Sequence, residues 1–163
     1  MAWTNFDGLD IDFGTDRAAA NKTGTSAESV VKTLIVDVDW TDITAVASFI
    51  TRQDNRDAFI PAGAYIKSAT LSVSEGFTSG GAATLGIGLC TSAQGVIDAD
   101  GIDAAIAVTA LNAVGDQVLC DGALVGGVVF VGTADSYVYF TTGTAAWTAG
   151  AARLVIEYIA DGV

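Results

Sequence analysis

The sequence predicts an all-β protein: an antiparallel, jelly-roll-like β-sandwich with one short helical crossover and an extended N-terminal arm. Three observations carry this expectation. Short runs alternate apolar with polar or small residues, the two-residue period of a strand with one buried side. Gly- and Thr-rich turns separate those runs. No long helical pattern alternates with the strands, as a parallel α/β sheet would require.

Taken in order, residues 1–29 read as an arm and 30–163 as the sandwich domain. The arm sets Asp7, Asp10, Asp12 and Asp16 among Trp3, Phe6, Leu9, Ile11 and Phe13, and ends in a polar linker. Its aromatics need something to hold them down. Val30 to Trp40 is the first strand, with Leu34, Val36 and Val38 on one face and Thr33, Ile35, Asp37 and Asp39 on the other. A second strand is expected within Ile43 to Thr51, followed by a charged turn and the Pro61-Ala62-Gly63 turn. Ala64 to Ser74 and Thr84 to Cys90 form the next pair. In the latter, Gly86 and Gly88 make a face with no side chains, open to close approach by another backbone.

Gln94 to Val114 is the expected helical crossover, because Ile102, Ala105, Ile106 and Thr109 recur at helical spacing. Strands are then expected at Gln117 to Asp121, Val125 to Val131, Tyr137 to Thr142 and Arg153 to Ile159. The T-A-A-W-T-A-G stretch before the last strand reads as a turn that exposes Trp147 as a contact residue.

Composition narrows the function classes. The chain is 51% hydrophobic but only 9% aromatic, so its greasiness comes from Ala and Val, with 19 Gly beside them. Small-residue surfaces of this kind suit coverage by copies of the chain or by a partner. Seven basic residues stand against 19 acidic ones, a net charge of −12, and Arg153 is the one cation after Lys67. Such a surface repels phosphate backbones, which argues against nucleic acid as a partner. No run reads as a membrane-spanning helix, so no membrane partner is expected. The N-terminus has no signal-peptide pattern, so folding in the cytoplasm of the producing cell is expected. Cys90 and Cys120, each in an apolar setting, read as buried free thiols.

Catalytic chemistry finds little to build on. There is no histidine, which removes Ser-His-Asp and Cys-His arrangements, and no nucleophile elbow or phosphate-cradling loop occurs. Asp98-Ala99-Asp100-Gly101-Ile102-Asp103 could wrap a calcium ion but departs from the EF-hand pattern. It reads more plainly as the acidic start of a helix. Asp37, Asp39 and Asp42 could supply paired carboxylates for glycoside cleavage. Trp40, Tyr137, Tyr139, Trp147 and Tyr158 could form a sugar-binding platform, although strand aromatics are more often core. No catalytic, cofactor-binding or metal-binding residue is assigned.

The run F-I-P-A-G-A-Y-I-K-S-A-T-L-S-V-S-E-G-F-T-S-G-G-A-A-T-L-G-I-G-L (Phe59 to Leu89) resembles a recurring module of tailed-bacteriophage virion proteins. In that module an I-P-A-G turn, a strand, an F-T-G-G turn and a T-L-x-I-G strand follow one another. G-I-D-A-A-I-A-V-T-A-L-N-A-V-G is similar to the next part of those proteins. T-A-G-A-A-R-L-V-I-E-Y-I (Thr148 to Ile159) resembles their closing strand. The resemblance implies a capsid decoration (cement) protein or a related head or tail β-sandwich, with no catalytic residues and no cofactor. The expected partners are the major capsid protein and further copies of the chain, a trimer favoured, on the exterior of the virion. Trp3, Phe6, Phe13, Trp147 and Arg153 are the expected contact residues. The alternative is a head-fibre or tail component with a glycan-binding sandwich.

Overall fold

A computed structural model describes residues 3–4, 10–11, 31–43, 48–49 and 59–160, the two-residue pieces by backbone pairing alone. The chain divides into two compact units, Met1–Val30 and Val31–Val163. In the first, β1 (Trp3–Thr4) pairs antiparallel with β2 (Asp10–Ile11). Phe6 and Phe13 lie outside the described residues.

The second unit contains β3 (Val31–Asp39), β4 (Ser48–Phe49), β5 (Phe59–Ile60), β6 (Tyr65–Ser79), β7 (Thr84–Cys90), β8 (Val96–Ala107), β9 (Gln117–Leu119), β10 (Ser136–Gly143) and β11 (Trp147–Ile159). Two antiparallel sheets form, one in the order β3-β11-β6-β9 and the other β4-β10-β7-β8, with β5 also pairing β10. The pairings nest: β3 with β11, β4 and β5 with β10, β6 with β9, β7 with β8. That is the strand order of a jelly roll, in which a long hairpin is rolled into two facing sheets. The expected all-β sandwich is the fold observed.

Alternation explains the core. Leu34, Val36 and Val38 of β3, Ala69, Leu71 and Val73 of β6, and Leu154, Ile156 and Tyr158 of β11 all point inward. Leu85, Ile87 and Leu89 of β7 and Val138 and Phe140 of β10 join the same core from the other sheet. Full burial of each Leu or Ile contributes roughly 1.5–3 kcal/mol.

Two expectations are corrected. The helical crossover does not form: Val96–Ala107 is strand, with a single short 3-10 turn at Val108–Ala110. Its helix-like spacing comes from extra residues bulged out of the β7–β8 ladder, where Ile87 opposes Asp103 and Leu89 opposes Asp98. Bulges break the period of two, and apolar side chains then return at three- and four-residue intervals. Val125 to Val131 is not a strand either. Gly126 and Gly127 turn the chain at positive φ, leaving isolated bridges from Val125 to Ile66 and from Phe130 to Tyr65. The second strand expected within Ile43 to Thr51 is present as the short β4, after a 3-10 turn at Trp40–Ile43.

Candidate functional site

The last strand pairs on both sides, so its outward side chains sit in the middle of a four-stranded face. Ladder register places Ile35, Val155, Thr70 and Leu119 in one row across β3, β11, β6 and β9. Ile35 is 48% exposed and Leu119 73%. One step along the strands lies a second row, with Arg153 between Asp37 and Ser72. One step the other way, Glu157 lies between Thr33 and Ser68.

The charges on this face are paired internally. Arg153 donates from Nε to Asp37 Oδ1 at 2.6 Å and from Nη2 to Asp37 Oδ2 at 3.1 Å, a forked contact suited to guanidinium and carboxylate. That hydrogen bond holds the Asp37 carboxyl below its ordinary value, against a smaller opposing effect of burial. Ser68 Oγ donates to Glu157 Oε2 at 3.0 Å, and Lys67 Nζ stands 3.8 Å from the same oxygen. Both ion pairs are solvent-exposed, so Arg153→Ala is expected to leave the urea midpoint close to the wild-type value. Among the described residues the cations are Lys32, Lys67 and Arg153, all on strands of this sheet.

Other expected site residues fall elsewhere. Trp147 is not an exposed turn residue: it opens β11, is 2% exposed, and packs edge-to-face on Phe77 with ring centroids 5.2 Å apart. Gly150, at φ +127 with Phe77 against it, lets the strand continue where composition suggested a turn. Trp3 lies on β1 by backbone pairing. The aromatic platform is also corrected, because Tyr137, Trp147 and Tyr158 are buried. Of the acidic candidates, Asp37 is engaged by Arg153, while Asp39 accepts from Thr41 N and Oγ1 at 2.9 Å each. Asp42 accepts from Asp39 N at 3.1 Å. These are turn-forming roles, a plainer use than catalysis.

The Asp98–Asp103 stretch closes one side of the sandwich. Gly122 N donates to Ile102 O and Leu124 N to Gly101 O, both at 2.8 Å, while Cys120 N donates to Ala69 O at 3.0 Å. The segment after β9 thereby ties the edges of the two sheets together. Gly86 and Gly88 are covered here by the chain itself: Thr141 and the Asp98–Ala99 backbone occupy the space their side chains would take. The glycine face expected to receive another backbone receives β8.

At this seam Asp103 is 6% exposed. Burial first, and then the nearby Asp121 charge, raise its pKa above the ordinary 3.8, and burial raises that of Asp98. The Cys120 thiol is pushed up to about 12, by burial and then by the Asp103 charge. Cys90 and Cys120 are both free and buried, as expected. An aspartate raised in the folded state favours the protonated fold. Stability is therefore lowest above the folded pKa and is gained as pH falls through it. Asp37, lowered by Arg153, acts oppositely and loses its contribution only below its ordinary value of 3.8. Urea midpoints are expected to rise as pH falls from 7 toward the ordinary aspartate value of 3.8. Asp103→Asn is expected to flatten that rise and to stabilise the pH 7 state by about 1 kcal/mol. No group of three or more metal-ligating side chains occurs among the described residues.

The exposed members of the outer row, Ile35 and Leu119, were not singled out from sequence. For Ile35 and Val155 the signal was present, since each is an apolar residue on the polar side of its strand, out of phase with the buried side.

No protein-family model matches the chain, and no curated protein sequence matches it. Solved structures share the fold. A chain of the cyanophage Pam1 capsid asymmetric unit superposes with a TM-score of 0.58, covering 91% of this protein and 98% of that chain at 17% identity. A chain of the capsid of Ralstonia phage GP4 gives 0.55, with 86% and 90% covered at 18% identity. A chain of the acid-stable capsid of Helicobacter pylori bacteriophage KHP30 gives 0.53, with 82% and 90% covered at 12% identity. At these identities the likeness is one of fold.

Proposed function

We propose that the protein is a structural component of a phage particle that decorates the capsid from outside and stabilises it by bridging capsid subunits. The observation that carries this reading is near end-to-end correspondence of the fold with chains of three phage capsids, each covered over at least 90% of its length. A similar domain embedded in a larger, unrelated protein would not give matches of that extent. The reading needs no catalysis, and a chain without histidine whose Asp37, Asp39 and Asp42 serve an ion pair and a turn suits it.

In this reading the partners are the major capsid protein and further copies of the chain. The arm, residues 1–29, engages a capsid subunit through Trp3, Phe6 and Phe13 while the sandwich rests on the shell. Modest contacts repeated around a shell add up through multivalency. Removing residues 2–29 is expected to leave the sandwich folded and to weaken co-sedimentation with shells lacking the protein by at least about tenfold. Particles assembled without the protein are expected to release their contents at lower temperature, and adding it back should restore them. Density for the sandwich at the tail, or shells of unchanged thermal stability, would overturn the assignment.

A further inference from the structure

We propose that the outer face of the β3-β11-β6-β9 sheet is a self-association surface, on which two copies of the chain pack about a two-fold axis centred at Val155. The proposal rests on the sheet itself and does not depend on the capsid reading.

Strand alternation should place polar residues on an outward face. Here the central row carries Ile35, Val155 and Leu119. Rows of charge flank it, Arg153 with Asp37 on one side and Glu157 with Lys67 on the other. Arg153 and Lys67 are matched by Asp37 and Glu157, so the three central rows are close to neutral on a molecule with a net charge of −12, while Asp39 and Glu75 flank Ala151 in the next row. Described cations occur on no other sheet. In an antiparallel stack centred on Val155 that acidic row lies over the Val31–Ile159–Tyr65 row of the other copy, so like charges do not face each other.

The order of charges specifies how the copies meet. Arg153 and Glu157 lie two residues either side of Val155 and point the same way, about 7 Å from it along the strand. When two such faces stack with their β11 strands antiparallel, Val155 meets Val155. Arg153 of each copy then stands over Glu157 of the other. Facing sheets pack about 10 Å apart, within reach of an arginine and a glutamate from opposite sides. The contact is isologous, each residue making the same contact twice. Three strands by five rows, with the three-residue β9 adding two positions, cover on the order of 500 Å² per copy, about 1,000 Å² in total, at the lower limit for a specific interface. The dimer is accordingly weak alone, and its two-fold symmetry differs from the trimer expected from sequence.

Sedimentation velocity of the full chain across about 1–200 µM tests this. The wild type is expected to shift from monomer to dimer with concentration. Val155→Asp, and separately the exposed-edge variant Leu119→Asp, should raise the dissociation constant at least about tenfold while melting near the wild type. Arg153→Glu and Glu157→Arg should each weaken self-association. An equimolar mixture of those two should form a heterodimer, because an all-acidic row pair then meets an all-basic one. A monomer at every concentration, a trimer indifferent to Val155→Asp, or a mixture no tighter than its components would overturn the proposal. A monomer that still binds shells removes the two-fold contact and leaves the capsid reading standing. A dimer that binds no shell does the reverse.

Discussion

Replacing Trp147 with alanine is expected to destabilise the sandwich by about 3–5 kcal/mol, read as a lowered urea midpoint at unchanged slope. The indole is 2% exposed and lies edge-to-face on Phe77, itself fully buried. Both rings sit at the end of the sandwich where β11 begins opposite Ser79 of β6. Removing the indole forfeits its burial, the aromatic pair and the packing of the first turn of β11 at once. Trp147 Nε1 makes no hydrogen bond, so Trp147→Phe loses packing volume alone and should cost much less. A contact residue would behave differently, with binding lost and the midpoint kept. An alanine variant within about 1 kcal/mol of wild type would mean that the indole is not core.

Which features were legible depended on whether chain-local physics decides them. In β3, β6 and β11 one face is buried and the other is not, so the hydrophobic period of two is imposed by packing and appears in the residues themselves. Leu154, Ile156 and Tyr158 were legible for that reason. In β7, Leu85, Ile87 and Leu89 alternate with glycines on a face that is also covered. In β8 the same period is interrupted by residues bulged from the ladder, and Ala105 sits at φ 54. The resulting spacing imitates a helix, and nothing local distinguishes the two. Trp147 was misplaced because Thr, Ala and Gly compose both turns and irregular strand. Only pairing with β6 and β3 shows that the strand runs through them.

The candidate site was half legible. Arg153 stands out as the lone cation after Lys67, but its partner Asp37 is 116 residues away in sequence. Cross-strand partners are fixed by register, and register is a property of the assembled sheet. The same holds for the Ile35–Val155–Leu119 row, whose members come from three strands. Gly86 and Gly88 were correctly read as a face awaiting a backbone. That the backbone is Asp98–Ala99 of the same chain follows only from the fold.

Gly88→Val is expected to cost at least about 3 kcal/mol, at or beyond the upper end of ordinary overpacking. A Cβ at Gly88 would overlap the Asp98 carbonyl oxygen and come within 2.5 Å of the Ala99 carbonyl carbon and oxygen. These are backbone atoms, so no rotamer change can relieve the overlap; the bulge between Asp98 and Asp103 must lift away from β7. That bulge accepts the Gly122 and Leu124 amides through Ile102 and Gly101, so lifting it opens the seam beside Cys120. Reaction with a thiol reagent separates this from general destabilisation. In the wild type Cys120 is buried and its thiol is pushed up to about 12, so it should react slowly at neutral pH. In Gly88→Val it should react faster, in water well below the unfolding midpoint. Gly80→Ala is the control, because nothing lies within 4 Å of its added Cβ. It should leave both midpoint and thiol reactivity near wild type. A Gly88→Val protein with unchanged midpoint and protected Cys120 would show that β8 does not lie against that glycine. The sandwich would then need another means of joining its two sheets along the β8–β9 side.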